Sequence, residues 1–347
     1  MNVMEVLLQL PQQSLSEILY HIEGEKERSR QRCVERVIRS ITDVSNRTKS
    51  LNKLDRCGKQ LVIFTSQSIH IEWQYHELVG LVTKSEKENV PRSISILERE
   101  GWLFPTTKGK WTIPDELKKI VTMLLKKSSQ DDIVYIPNTE VKEDLTILFD
   151  LYSFMDEVSE KKFVLTNQQT IGKLQLKSLL KKMEYKEEVP NEQWRFGYGR
   201  HFYHYPDRFS LIYSFAFTNG WIKEEDVLVV TKEWSKAEEL STSQFMKRFI
   251  LAYIKEYSRA IPQLPYLLKL IRLYLNRQEK ALEKDALVSL ITPYVDSYYY
   301  DDARQIVEKR ILAMLVHLDL LLEKRIGDEV YYTLSNDRLT EADWLMM

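Results

Sequence analysis

The chain has 347 residues, of which 10 are Gly and 10 are Pro, well under the roughly 7% and 5% of average usage. That scarcity excludes collagen-like, linker-rich and low-complexity classes, and it disfavours Gly-lined phosphate cradles. Lys+Arg is 50 and Asp+Glu is 51, a net charge of −1 with a pI near 6.6, whereas a dedicated nucleic-acid domain usually exceeds roughly 9. Any nucleic-acid contact must therefore come from a local patch, and a protein partner is the rival reading.

With 44% apolar and 29% charged residues, the composition is that of a folded, mostly helical protein whose length suits about two to three domains. Cys33 and Cys57 are isolated from each other and from any His, and the opening MNVMEVLLQL lacks a basic n-region and a long apolar run. Together these point to a reducing, cytoplasmic location. The longest apolar tract, 311–322, is broken by His317 and Asp319 and falls short of the roughly 20 residues of a membrane span, so no membrane partner is expected.

In chain order, residues 1–45 read as an appended helical segment, with 17–44 as one helix that is heavily charged between Glu25 and Arg36. Residues 46–128 form a first unit. Apolar-periodic stretches at 51–64 and 69–82 are followed by a helix that starts at Pro91. Residues 133–235 form a second unit, with helices at 143–154 and 174–183, a strand at 163–166, and a third helix opening at Pro206-Asp207. Residues 241–347 form a third, with helices at 243–257, 266–274 and 284–291, and a long helix from about Asp302. Linkers are expected near 128–132 and 235–241.

Three segments, 94–117, 212–234 and 312–339, share one grammar. Apolar residues stand seven and four positions before Gly101, Gly220 and Asp319: Ile94 and Leu97, Tyr213 and Ala216, Leu312 and Leu315. That spacing places both members on one helical face. Gly101 and Gly220 sit where a left-handed residue would end the helix. A short apolar strand, a polar tip and a second strand follow each time. Helix, stop and hairpin form the C-terminal half of a winged helix, in which the hairpin is the wing and the preceding helix enters a DNA groove. The expected fold is thus mainly α with small β-hairpins (α+β), built as tandem winged helices.

The string FVLTNQQTIGKLQLKSLLKKM, 163–183, resembles the helicase-associated segment at the N-terminus of bacterial XPB-type helicase proteins. The matching residues are Leu165-Thr166, Ile171-Gly172-Lys173, Leu176 and Leu179. WTIPDEL, 111–117, is similar to the end of the preceding winged helix in the same proteins. The resemblance implies winged helices attached to nucleic-acid machinery, and it supplies no catalytic residues. No Walker A spacing is present, so the motor itself is absent.

The densest candidate surface is WRFGYGRHFYHYPDRF, 194–209, in which Trp194, Arg195, Arg200, His201 and Arg208 interleave rings with cations, as a nucleic-acid surface does. The competing reading is a loop whose rings pack beneath the second hairpin. Lys173, Lys177 and Lys181 align a basic stripe, either solvated or touching phosphates. The third helices carry Arg92 and Ser93, Arg208 and Ser210, and Arg304 and Lys309. Lys108 and Lys110 stand at the first hairpin tip, whereas the second tip, 223–226, is acidic and would repel phosphate. At least one unit is therefore expected to dock a protein or another unit. His201-x-x-His204 lacks a third and fourth ligand, and G-x-S-x-G, H-E-x-x-H and C-x-x-C are missing. A Glu184-x-Lys186 pair has the wrong order for a nuclease. No catalytic residue, metal or cofactor is expected. DNA is the expected partner, with a motor or nuclease subunit beside it; the alternative is an adaptor that uses its winged helices to dock partner subunits.

Overall fold

The computed structural model describes residues 1–106, 108–136, 145–191, 197, 199–275 and 280–335. They are mainly helical with small sheets, and the strand pairs with defined register are antiparallel. The chain divides into two compact units, one of residues 1–135, 260–276 and 282–307, the other of residues 136–259, 277–281 and 308–347. Residues 241–347 are thus shared between both.

The first unit opens on helices Val3–Gln9, Gln12–Glu23 and Arg30–Thr42. The single helix expected over 17–44 is in fact two. Gly24 takes φ 75°, and its N–H bonds back to the Tyr20 carbonyl at 2.8 Å. A new helix starts at Ser29, whose side chain accepts from the Arg32 N–H. Residues 25–29 hold no apolar side chain to bury, so a helix continued through them would gain no core contact. Asp43 and Asp55 cap the next two helices, Val44–Lys53 and Arg56–Ser66, through the N–H groups of Asn46 and Gly58. A helix at Asp115–Ser128, not expected from the sequence, buries Leu117, Ile120, Val121, Leu124 and Leu125.

The three helix stops share one geometry. Gly101, Gly220 and Asp319 all lie in the left-handed region, with φ of 67°, 72° and 55°. In each, the residue after the stop bonds five positions back: Trp102 to Leu97, Trp221 to Ala216, Leu320 to Leu315, at 2.8, 2.9 and 2.9 Å. The stop residue bonds three back, to Glu98, Phe217 and Val316. This is the Schellman pattern, which satisfies otherwise orphaned carbonyls. Its hydrophobic partners Trp102, Trp221 and Leu320 are buried, as are all six apolar residues that mark the repeats.

A hairpin follows each stop: Phe104–Pro105 with Trp111–Thr112, Ile222–Glu224 with Val227–Val230, and Leu321–Ile326 with Glu329–Leu334. In the first repeat Trp73 bridges Trp111, and in the second Phe163–Val164 pairs with Val227–Val230. An upstream residue or strand therefore joins the last hairpin strand in both. The helices before these hairpins are Val90–Arg99 and Asp207–Thr218; the third is helical over 303–317, with π geometry at Ile306–Leu312.

Asp stands in the third stop for a chemical reason. Its carboxylate accepts from the Ile147 N–H at 2.7 Å and from the Thr146 hydroxyl, and so caps helix Thr146–Glu160, whose own N-cap Leu145 has no side-chain acceptor. Asp tolerates the left-handed region better than most residues, and here it does both jobs.

Candidate nucleic-acid interface

Trp194 and Arg195 lie outside the described residues. Within the described part of the aromatic–basic stretch, Tyr205, Arg208 and Phe209 are buried and Arg200 and His201 are engaged within the fold, whereas Tyr203 and His204 are exposed. Arg200 makes a two-pronged pair with Glu224, its Nε at 2.6 Å, and lies 3.8 Å from the centre of the Phe217 ring. His201 Nε2 is 2.9 Å from Glu224 Oε1, and the Tyr213 hydroxyl donates to the same oxygen at 2.8 Å. Burial pushes the Glu224 carboxyl up, but the hydrogen bonds from Arg200, His201 and Tyr213 outweigh it and hold the group below its ordinary value. Glu224 belongs to the acidic second tip. Its charge is paired with Arg200 within the same unit.

Arg208 corrects the sequence reading most clearly. It is 1% exposed. Its Nε donates to Asp150 at 2.8 Å, its Nη2 to Thr146 at 2.7 Å, and its Nη1 to the His317 carbonyl. Burial pushes the Asp150 carboxyl up, while the Arg208 charge and hydrogen bond and the backbone N–H of Glu184 pull it down. The pair is a core strut, not a phosphate clamp. Helix Asp207–Thr218 buries every residue from Arg208 to Ala216, so no face of that stretch is open to a groove.

The same helix starts on Pro206, which has no side chain to cap it. The half-buried Glu187 supplies the cap, accepting from the N–H groups of Arg208 and Phe209 at 2.9 Å each. Burial pushes its carboxyl up to about 7, against those two hydrogen bonds, and Asp207 adds to the rise. A folded value above the ordinary 4.5 means stability that is present in full below about pH 4.5 and lost as pH rises through about 7. Acidifying from pH 8 to 5.5 is expected to stabilise this unit by about 2 kcal/mol through Glu187, and Glu187→Gln to remove that gain. Thermal melts at the two pH values measure it, and an unchanged pH dependence in the variant would refute the assignment.

Ser93 is a second correction. It is 1% exposed and shares the inward face with Val90, Ile94 and Leu97. Helical phase, not polarity, decides where it points. Arg304 is half exposed and pairs with Asp285 at 2.5 Å, and Lys309 is exposed in the π segment. Lys173 and Lys177 are exposed on helix Lys173–Leu180. Lys173 borders an open cleft of about 800 Å³ with Asn167, Gln168, Asn191, Tyr203 and His204.

The first repeat presents what the second hides. On helix Val90–Arg99, Arg92, Ser95 and Arg99 are exposed at three- and seven-residue spacing, one solvent face opposite the buried one. The Trp111 indole donates to Glu98 at 2.7 Å, tying the hairpin's last strand to the end of that helix. Lys108 and Lys110 stand beside this strand, 4.0 and 3.9 Å from Glu72. Ser95 and Arg99 escape a reading that looks only at the start of the helix. A segment-by-segment charge count finds the region: residues 46–128 hold 15 Lys and Arg against 9 Asp and Glu, hence +6, whereas 133–235 hold 13 against 16, hence −3.

No protein-family model matches the chain, and no curated protein matches it. Among the described residues, no group of three His, Cys, Asp or Glu is placed to hold a metal ion, and no helix is long and apolar enough to cross a membrane.

Proposed function

We propose that the chain is a non-enzymatic protein of tandem winged helices that binds DNA in the cytoplasm as an accessory of a nucleic-acid-processing machine. The observation that carries this reading is the repeated helix stop and hairpin, combined in the first repeat with an exposed basic helix face. A winged helix offers such a helix to a groove and its hairpin to the backbone. The resemblance of 163–183 and 111–117 to the helicase-associated segment supports a motor or nuclease subunit as the companion.

The second reading is an adaptor that docks partner subunits. It draws on one observation, the second repeat, whose third helix is buried from Arg208 to Ala216 and whose hairpin acid is spent on Arg200 and His201. The two readings are compatible if the repeats divide the work.

Fluorescence anisotropy with a labelled 20-base-pair duplex and the matching single strand tests the DNA reading. Duplex affinity is expected to fall steeply with salt, because each neutralised phosphate releases counterions. No binding to either form at low salt would refute DNA binding and leave the adaptor.

A further inference from the structure

We infer that duplex DNA is held by the first repeat, through Arg92, Ser95 and Arg99 in the groove and Lys108 and Lys110 on the backbone, and that the second repeat takes no part. The inference rests on the DNA-binding reading and locates it.

Charge sets the choice first. The surplus of +6 in residues 46–128 sits within a chain whose total is −1, so a polyanion is drawn to that segment and repelled by the −3 of residues 133–235. Geometry sets it second. Arg92 and Arg99 lie seven residues apart on helix Val90–Arg99, two turns along one exposed face. Arg92 has no ion pair among the described residues, and the Arg99 Nε donates only to the Ser95 carbonyl of its own helix. Both guanidiniums are therefore available for base edges or phosphates. In the second repeat Leu211 and Thr218 stand where the first has Arg92 and Arg99, and the one Arg of that helix, Arg208, is locked onto Asp150 in the core.

The chemistry of the face selects B-form duplex. It carries Arg and Ser but no exposed aromatic ring on which an unpaired base could stack. The deep, narrow major groove of double-stranded RNA does not admit such a helix. Several acids flank the site: Glu88 is exposed four residues before Arg92, and Glu100, next to Arg99, is engaged by Ser50 and His21. Glu98 is engaged by the Trp111 indole, and Glu72 lies beside Lys108 and Lys110 at the limit of ion pairing. The hairpin lysines thus exchange a weak internal partner for phosphate.

The test uses the full chain, the 20-base-pair duplex and anisotropy from 50 to 200 mM salt. A variant with Arg92→Ala, Arg99→Ala, Lys108→Ala and Lys110→Ala is compared with one carrying Lys173→Ala and Lys177→Ala. The two lost phosphate contacts of Lys108 and Lys110 lower the salt slope by about 1.8, which is about tenfold of salt-sensitive affinity across that range, and loss of the two groove arginines lowers affinity further at every salt concentration. The fourfold variant is expected to show this loss while its circular dichroism and melting stay those of the wild type. The Lys173/Lys177 variant is expected to bind as the wild type does. If the wild type binds duplex but the fourfold variant binds equally well, or the Lys173/Lys177 variant loses the affinity instead, the inference fails while the DNA-binding reading stands. If the wild type binds the single strand but no duplex, the inference alone fails, and if it binds neither form, both fail. Tighter binding to an RNA duplex of the same sequence also overturns the inference.

Discussion

Replacing Arg208 with alanine is expected to cost about 3–5 kcal/mol of stability, the cost of leaving a buried charge without its partner. Arg208 and Asp150 are 1% and 0% exposed, and the remaining guanidinium hydrogens go to Thr146 and the His317 carbonyl. Alanine strips Asp150 of its cation and Thr146 and His317 of a donor, and it leaves a void where the side chain lay. A urea midpoint followed by circular dichroism reads the loss. Asp150→Ala should cost a similar amount, while Arg208→Met combined with Asp150→Leu should recover much of it, since apolar packing replaces a buried pair at little cost. A change within about 0.5 kcal/mol, as at ordinary surface positions, would mean that Arg208 faces solvent and that the basic stretch is a surface after all.

The second large effect belongs to Gly101. Any side chain there carries the left-handed penalty of about 1–2 kcal/mol. A Cβ would also stand 2.9 Å from the Ile41 methyl Cγ2, with Ile18 and Ile22 close behind. Gly220 has the same kind of φ but open space around its Cβ position. Gly101→Ala should therefore destabilise by about 2–4 kcal/mol, strain plus overpacking, and Gly220→Ala by only about 1–2. Melting temperatures of the two variants make the comparison, and equal losses would contradict the close approach of the N-terminal helices to the first helix stop. That approach is reinforced by Arg47, buried at 1%, which donates to the Glu100 carbonyl at 2.8 Å and stacks 4.8 Å over Trp102. Burial pushes its guanidinium down to about 10.

Local pattern made much of this fold legible. Apolar residues seven and four positions before a stop are enough to place Ile94, Leu97 and their counterparts on the buried face, because helical period is a property of the chain itself. The failures are instructive for the opposite reason. Nothing local to Arg208 announces Asp150, 58 residues away, and no spacing rule pairs Glu224 with Arg200. Buried ion pairs are long-range, so an exposed basic patch and a neutralised one read alike. Ser93 was open to better reading, since Ile94 and Leu97 fix the phase that turns it inward. So was helix Asp115–Ser128, whose apolar residues recur at three and four. The break at Gly24 was signalled by the glycine and by the charged run after it.

The candidate site shifted accordingly, from a stretch rich in rings and cations to a helix with fewer of both. What distinguishes the two is whether the cations have partners within the fold. The helix with exposed arginines also lies in the one repeat whose segment is basic.

The most direct measurement is photocrosslinking of the full chain to a bromodeoxyuridine-substituted duplex, followed by peptide mapping. The expected adducts fall on helix Val90–Arg99 and on the Lys108 and Lys110 hairpin. Adducts confined to residues 199–230 would contradict the account, because they would place DNA on the second repeat, whose helix is buried from Arg208 to Ala216 and whose segment is acidic.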